Sequence, residues 1–275
     1  MLVDTAANLT MDRLFQLEDG FKRLTPTKIP LCIIKYGPPG SGKSSADEYI
    51  KELFHIDLDN FTKIDKDVPL IAIREFRKGS IDIYKGAKKG VAEDVQKFQD
   101  EILNEPNHEG LSINDKIPVA LQRAFDFQFN VLWETTGQSA RSQELMESVF
   151  RAIPKVYRII VLYPIVSEST ALARVQSRAR SHLKEEPPYF RPVPVERVKA
   201  ARVAGQRYFT ERIVPRVLDG TIYQLFCYNN EGRPDSRNYT RIRPGAVAKT
   251  RKRVARGWRF GLRKRKRLTA RAEYR

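Results

Sequence analysis

The stretch Gly37-Pro38-Pro39-Gly40-Ser41-Gly42-Lys43-Ser44 fits Gly-x-x-x-x-Gly-Lys-Ser/Thr, the pattern of a phosphate-binding loop. Its flanks fit as well. Ile29 to Tyr36 is a short apolar run that predicts a buried parallel strand. Ser45 to Phe54 has helical spacing, with Ala46, Ile50, Leu53 and Phe54 on one face. Glycines admit backbone angles closed to other residues and let N–H groups come close to an anion. Those N–H groups form a concave nest, and the helix dipole adds favourable potential for phosphate. Lys43 is placed to reach the β- and γ-phosphates, and the Ser44 hydroxyl to ligate Mg²⁺. The nucleotide-binding set is therefore Gly37, Pro38, Pro39, Gly40, Ser41, Gly42, Lys43, Ser44 and Ser45. The motif specifies a nucleoside triphosphate and leaves the fate of its γ-phosphate open.

Composition limits what surrounds this loop. At 275 residues the chain holds one large α/β domain with appendages, or two small ones. No apolar run approaches the roughly eighteen residues that would span a bilayer. Met1 to Asn8 carries an early acid and no basic residue before an apolar core, which is not the pattern of a signal peptide. The expectation is a soluble, intracellular, cytoplasmic protein. Cys32 and Cys227 sit in apolar, strand-like segments and read as small buried hydrophobes. His55, His108 and His182 are scattered, without zinc-ligand spacing.

The net charge of +17 is unevenly spread. Residues 241–275 hold fifteen Lys/Arg and one acid, leaving 35 basic and 32 acidic side chains for the remaining 240. The chain thus divides into a leading helical segment (1–27), a P-loop domain (28–240) and a polybasic tail (241–275). The leading segment contains an amphipathic helix from about Thr10 to Leu24. The tail contains Lys249-Thr250-Arg251-Lys252-Arg253 and Arg263-Lys264-Arg265-Lys266-Arg267, with Trp258, Phe260 and Tyr274 interspersed. Such a like-charge segment favours disorder in isolation and attraction to polyanions, nucleic acid first among them. A nuclear-import signal and an anionic membrane surface are the weaker alternatives, and the basic tail leaves a nuclear or nucleic-acid-associated location open.

Along the domain, Phe54, Ile56 and Leu58 alternate and predict a second strand, with Asp57 and Asp59 near its C-terminal end. In open α/β sheets that end faces the ligand crevice. Carboxylates there hold Mg²⁺ through water or accept a proton from a hydroxyl. Residues 62–128 give no firm topology. Pro69 to Arg74 reads as a strand or a helix start, Val91 to Leu103 as a helix, and Pro118 as the first turn of a helix reaching Gln128. This stretch reads as an insertion that shapes an acceptor pocket.

Phe129 to Trp133 predicts a strand ending in Glu134-Thr135-Thr136-Gly137-Gln138, with Ser139 capping the next helix. A further strand runs from Val156 to Tyr163 and stops at Pro164. Ala171 to His182 is a basic helix with Arg174 and Arg178 on one face. A proline-rich loop carrying Arg191 leads to a long helix from Val195 to about Val217, with Arg197 and Arg202. Arginine helices hinged by such a loop suit a lid over a triphosphate, stabilising charge on the transferring phosphoryl group. Thr221 to Tyr228 is the closing strand.

In order and spacing, these landmarks resemble the zeta-toxin-like P-loop kinases over residues 28–235. The matching segments are the loop itself, Ile56 to Phe61, Asn130 to Gly137, Arg174-Val175 to Arg178 with His182, Val193-Pro194, and the strand into Tyr228-Asn229-Asn230-Glu231-Gly232. The resemblance implies an α/β fold, a P-loop NTPase-type parallel sheet flanked by helices, with a helical arginine lid. It implies ATP as donor and Mg²⁺ as its cation. By position it makes Asp59 the general base, with Asp57 beside it, and Glu134, Thr136 and Gln138 acceptor contacts. Arg174 or Arg178, with Arg191 or Arg197, would clamp the triphosphate. Family members often carry arginine where Gln138 stands, and the family's toxins phosphorylate the amino sugar of UDP-N-acetylglucosamine. That departure and the basic tail weigh against the same acceptor here and leave the kinase reading intact. The expected function is transfer of the γ-phosphate of ATP to an unidentified hydroxyl acceptor. The alternatives are a nucleoside or polynucleotide kinase, and a nucleic-acid-binding structural protein that retains a nucleotide-binding domain.

Overall fold

Leu31–Tyr36 forms strand β1, and the physics of its sequence fixes its place. A run with almost no alternation must be buried on both faces, which puts it in the middle of a sheet with helices on either side. Cys32, Ile34 and Tyr36 enter one apolar cluster, and Ile33 enters another on the opposite face. The computed structural model describes residues 24–87, 89–107, 110–231 and 239–242. The leading helix expected over 10–24 (apart from Leu24) and the tail beyond Ile242 lie outside the described residues.

From β1 the chain enters the loop and then α1 (Ala46–Phe54), followed by a 3₁₀ turn at Leu58–Asn60 and β2 (Phe61–Ile64). Helices α2 (Asp67–Ala72), α3 (Arg74–Gly86), α4 (Val91–Asn104) and α5 (Ile113–Asp126) come next. β3 (Asn130–Thr135), α6 (Ala140–Ala152), β4 (Arg158–Ile165) and α7 (Glu168–His182) continue the alternation. After the proline-rich loop, α8 (Val195–Tyr208) runs through a π-turn at Phe209–Ile213 into α9 (Val214–Leu218), then β5 (Gln224–Asn229) and β6 (Tyr239–Ile242). The strand order is β2-β3-β1-β4-β5-β6. The first five strands are parallel and β6 is antiparallel to β5.

Three details differ from the sequence-based expectations. α5 begins at Ile113, because Ser112 and Asp115 form a reciprocal capping box there, and Pro118 lies inside the helix. β4 continues through Pro164 to Ile165. Its pairing with β1 has already ended at Leu162, so a residue without an N–H is tolerated at that point. β6 extends to Ile242, so a domain boundary at 240 falls inside a strand.

The largest difference concerns β2. Phe54 closes α1, His55 takes a left-handed backbone conformation (φ 51°), and Leu58 is buried in the 3₁₀ turn rather than in a strand. The strand is Phe61–Ile64, in register with β3 from Phe61↔Asn130 to Ile64↔Trp133. Asp57 and Asp59 therefore precede β2. The turn is fastened to the opposite edge of the sheet. There Asn130 Oδ1 accepts from the Leu31 N–H at 2.9 Å, and Asn60 Oδ1 accepts from the Thr25 N–H at 2.9 Å. The six residues of β1 separate that edge from the loop by roughly 17 Å.

Candidate active site

Because five strands run parallel, their C-terminal ends share one edge, where α/β sheets bind ligands. β1 delivers the loop there, β2 delivers Asp65, Lys66 and Asp67, and β3 delivers Glu134 and Thr136. A cleft of about 360 Å³ opens at this edge, walled by α4 and α5 on one side and by α7 and the proline-rich loop on the other.

The loop has the shape of an anion cradle. Its first N–H, that of Gly37, donates to Thr135 O at 3.2 Å, which ties the cradle to β3. Gly40 and Gly42 have φ of +74° and +85°, and a Cβ there would stand 2.2 Å from Ala171 O and 2.0 Å from Asn230 Nδ2. Only glycine passes at those two positions. Lys43 is buried at 7% exposure and donates to Gly37 O at 2.8 Å and Pro38 O at 3.3 Å. Burial pulls its pKa below the ordinary lysine value, against the opposing pull of Glu134, Asp67 and Asp65. Ser44 lines the cleft, whereas the Ser45 hydroxyl donates to Gly42 O at 2.7 Å and braces the loop.

Two cations hold Glu134. Lys35 Nζ lies 3.1 Å from one carboxylate oxygen and Lys43 Nζ 3.9 Å from the other. Lys35 also bonds Asp47 of α1 at 2.9 Å. Burial alone would lower the Lys35 pKa, but Glu134 and Asp47 together hold it above the ordinary value. Sequence reasoning missed Lys35. A lysine in a strand reads as solvent-exposed, and the acids that allow its burial lie 12 and 99 positions away.

Asp65 and Asp67, from the end of β2, bring two further carboxylates into the cleft beside Glu134. Asp67 lies 2.6 Å from Arg191, and that guanidinium, outweighing burial, holds its pKa down to about 2. Asp65 is pushed up to about 7 by burial first, then by the negative charges of Asp67 and Glu134. Its Oδ1 accepts from the Asp67 N–H at 2.9 Å, so the two side chains are set by one turn of backbone. The Asp67 Oδ1, Arg191 Nε and Gln138 Oε1 atoms are buried in the cleft without a hydrogen-bond partner.

The expected arginines divide by position. Arg178, Arg191 and Arg197 line the cleft, and Arg197 is paired with Asp100 of α4 at 2.9 Å. Arg174 packs against the loop and donates to Asn230 O at 2.7 Å. The loop carrying Arg191 is held by Tyr189, which stacks on His182 at 4.3 Å and lies under the Arg77 guanidinium at 4.6 Å. Arg77 also donates to Ile71 O and to Pro187 O, linking α2 to that loop. Burial, followed by the repulsion of Arg191, Arg178 and Arg77, lowers the His182 pKa to about 4, so the ring is neutral at pH 7. Thr136 and Gln138 line the cleft beside Glu134. Asp57 and Asp59 do not reach it, for the topological reason given above.

The arrangement fits a triphosphate on the loop and a second molecule against α4 and α5, where Gln96, Gln99 and Asn114 offer polar side chains. Among the described residues, no group of three or more His, Cys, Asp or Glu side chains forms a metal site, and no helix is long and apolar enough to cross a membrane.

No family model matches the chain, and a search of curated proteins finds no match. Solved structures do match. A chain from the PezAT chromosomal toxin–antitoxin system of Streptococcus pneumoniae is similar at 13% identity over 93% of this chain and 97% of that one, with a TM-score of 0.50. The AvrRxo1-ORF1:ORF2 complex is similar at 12% identity over 84% of this chain, with a TM-score of 0.46. This chain spans 63% of that one, less than two thirds of its length. Deoxyadenosine kinase from M. mycoides with bound dCTP is similar at 14% identity over 84% of this chain and all of that one, with a TM-score of 0.37. The likeness is one of fold. The chain has the α/β fold that the zeta-toxin resemblance implies, a P-loop NTPase-type sheet of five parallel strands flanked by helices, with β6 added antiparallel at its edge.

Proposed function

We propose that this protein is an ATP-dependent phosphotransferase of the zeta-toxin type, which moves the γ-phosphate of ATP to a hydroxyl on an acceptor lying against α4 and α5. The observation that carries the reading is the set Lys43, Asp65, Asp67, Glu134 and Arg191 around one cleft at the mouth of the loop. In the transfer, the acceptor oxygen bonds to the γ-phosphorus, the bond from that phosphorus to the β-bridging oxygen breaks, and ADP leaves. The proton of the acceptor hydroxyl passes to the Asp65–Asp67 pair, in which Asp65, with its raised pKa, exchanges a proton near neutral pH. Lys43, Arg178 and Arg191 supply positive charge where the transferring group gathers negative charge. Glu134, fixed between two lysines, orients the acceptor. Ser44, which lines the cleft, would hold Mg²⁺ at the phosphates, and that cation would offset charge on the departing diphosphate.

The test is a labelled-ATP screen over UDP-sugars, nucleosides and 5′-hydroxyl oligonucleotides, run with wild type and with Lys43→Ala. Transfer to one class that Lys43→Ala loses supports the reading. Labelled product formed equally by both proteins would overturn it.

A further inference from the structure

Two residues directly after β5 touch both halves of the nucleotide site. Asn230 is 1% exposed. Its side-chain Nδ2 donates to Ser41 O in the loop at 2.7 Å, and its backbone N–H donates to Ile165 O at the end of β4 at 2.8 Å. Its own carbonyl accepts from Arg174 of α7 at 2.7 Å. The next residue, Glu231, caps the same helix. Its carboxylate accepts from the Ser167 N–H, from the Ser167 hydroxyl at 3.0 Å and from the Thr170 hydroxyl at 2.7 Å. The side chain of Asn230 also occupies the space that a Cβ on Gly42 would need.

We infer that Asn230 and Glu231 form a clasp that sets the phosphate-binding loop and the arginine helix in register, with Asn230 a positioning residue for nucleotide binding. This inference rests on the proposed function in one respect, that the loop binds a nucleotide. The physical argument is that a loop whose N–H groups must all face one anion works only if its carbonyls are held turned away. Ser41 O is such a carbonyl, and Asn230 is the group that holds it. The clasp also fixes the loop relative to α7, because Asn230 O receives Arg174 while Glu231 anchors the first turn of that helix. A shift of β5 against β4 would therefore move the cradle and its arginines together.

The experiment measures the affinity of a fluorescent ATP analogue with Mg²⁺ for wild type, Asn230→Ala and Asn230→Asp, with the melting temperature of each. Losing one buried hydrogen bond is worth about tenfold in affinity, so Asn230→Ala should bind about tenfold more weakly. Asn230→Asp keeps the shape but replaces the donor with a negative charge beside Gly42, and it should bind more weakly still. A merely space-filling Asn230 would give the opposite order, with the isosteric aspartate milder than alanine. That order, or wild-type affinity in both variants, overturns the clasp. Glu231→Gln keeps the folded core if Asn230→Ala does not, and its affinity should fall by a smaller factor; unchanged affinity there removes the capping half of the inference. Wild type that binds no nucleotide at all would overturn the proposed function itself, which separates the two failures.

Discussion

The Asp67 carboxylate lies 2.6 Å from the Arg191 guanidinium, joining the end of β2 to the proline-rich loop between α7 and α8. Asp65, two residues earlier, has the acids Asp67 and Glu134 among its strongest electrostatic neighbours, and the two carboxylates are driven in opposite directions. One is kept ionised by an arginine; the other is kept able to hold a proton near pH 7. Pairs of titratable groups pushed apart in this way are where proton-transfer roles are assigned.

The first prediction separates these acids from the pair read from the sequence. Asp65→Asn and Asp67→Asn should each lower the phosphotransfer rate by about 10²-fold or more while nucleotide affinity changes only a few-fold. Asp59→Asn should stay within about twofold of wild type, because the turn that carries it sits at the other edge of the sheet. Initial rates with each variant decide the matter, and inactivity of Asp59→Asn alone would reverse it.

Much of this fold could be read in the sequence, and the misreading of β2 shows where such reading stops. Phe54, Ile56 and Leu58 alternate as a strand does, and an Asp-x-Asp pair follows at residues 57–59. Seven residues on, Phe61-Thr62-Lys63-Ile64 is followed by a second Asp-x-Asp pair at 65–67. Local alternation cannot choose between them. The choice is made by the ladder to β3, a contact between segments nearly seventy positions apart. The loop, Glu134 and the arginine helices were legible because each depends on a local signal: glycine spacing, an acid ending an apolar strand, a serine cap. Lys35 was not, because its burial depends on partners from two other elements.

The second prediction concerns pH. The raised pKa of Asp65 means that the folded protein binds a proton there between about pH 4 and pH 7 while the unfolded chain does not. Stability from this residue therefore falls as pH rises through that window. Asp65→Asn should melt several degrees higher than wild type at pH 8 and at the same temperature near pH 4. Asp67 has the opposite sign. Its depressed pKa contributes stability above about pH 4 that is lost as the pH falls toward 2, so Asp67→Asn should be destabilised at pH 7 and indistinguishable near pH 2. Thermal melts across pH check both. The transfer rate of wild type should also fall about tenfold per unit below pH 7.

The third prediction tests the buried lysine behind the loop. Lys35→Met leaves Glu134 with only the more distant Lys43, and breaking a buried pair by removing one partner costs roughly 3–5 kcal/mol. The melting temperature should fall sharply. The double variant Lys35→Met/Glu134→Gln should recover most of that loss, because no uncompensated charge remains buried, yet transfer should stay low because the acceptor has lost a carboxylate. A double variant as unstable as the single one would show that Lys35 acts through packing or through Asp47.

The last prediction concerns the polybasic tail beyond Ile242, which lies outside the described residues and is argued from charge alone. Removing residues 243–275 deletes fourteen Lys/Arg and one acid but leaves β6 intact, since that strand ends at Ile242. The truncated protein should therefore fold and melt as the full chain does. Affinity of the full chain for an oligonucleotide should drop steeply between about 50 and 200 mM salt, because each neutralised phosphate releases a counterion. The truncated protein should lose that salt-sensitive binding, since the remaining residues are close to charge balance. Cutting at 240 instead would remove half of β6 and confuse loss of binding with loss of a sheet edge. If the protein ending at 242 binds as tightly as the full chain, with the same salt slope, the nucleic-acid contact belongs to the folded domain, and a polynucleotide becomes a credible acceptor at the cleft.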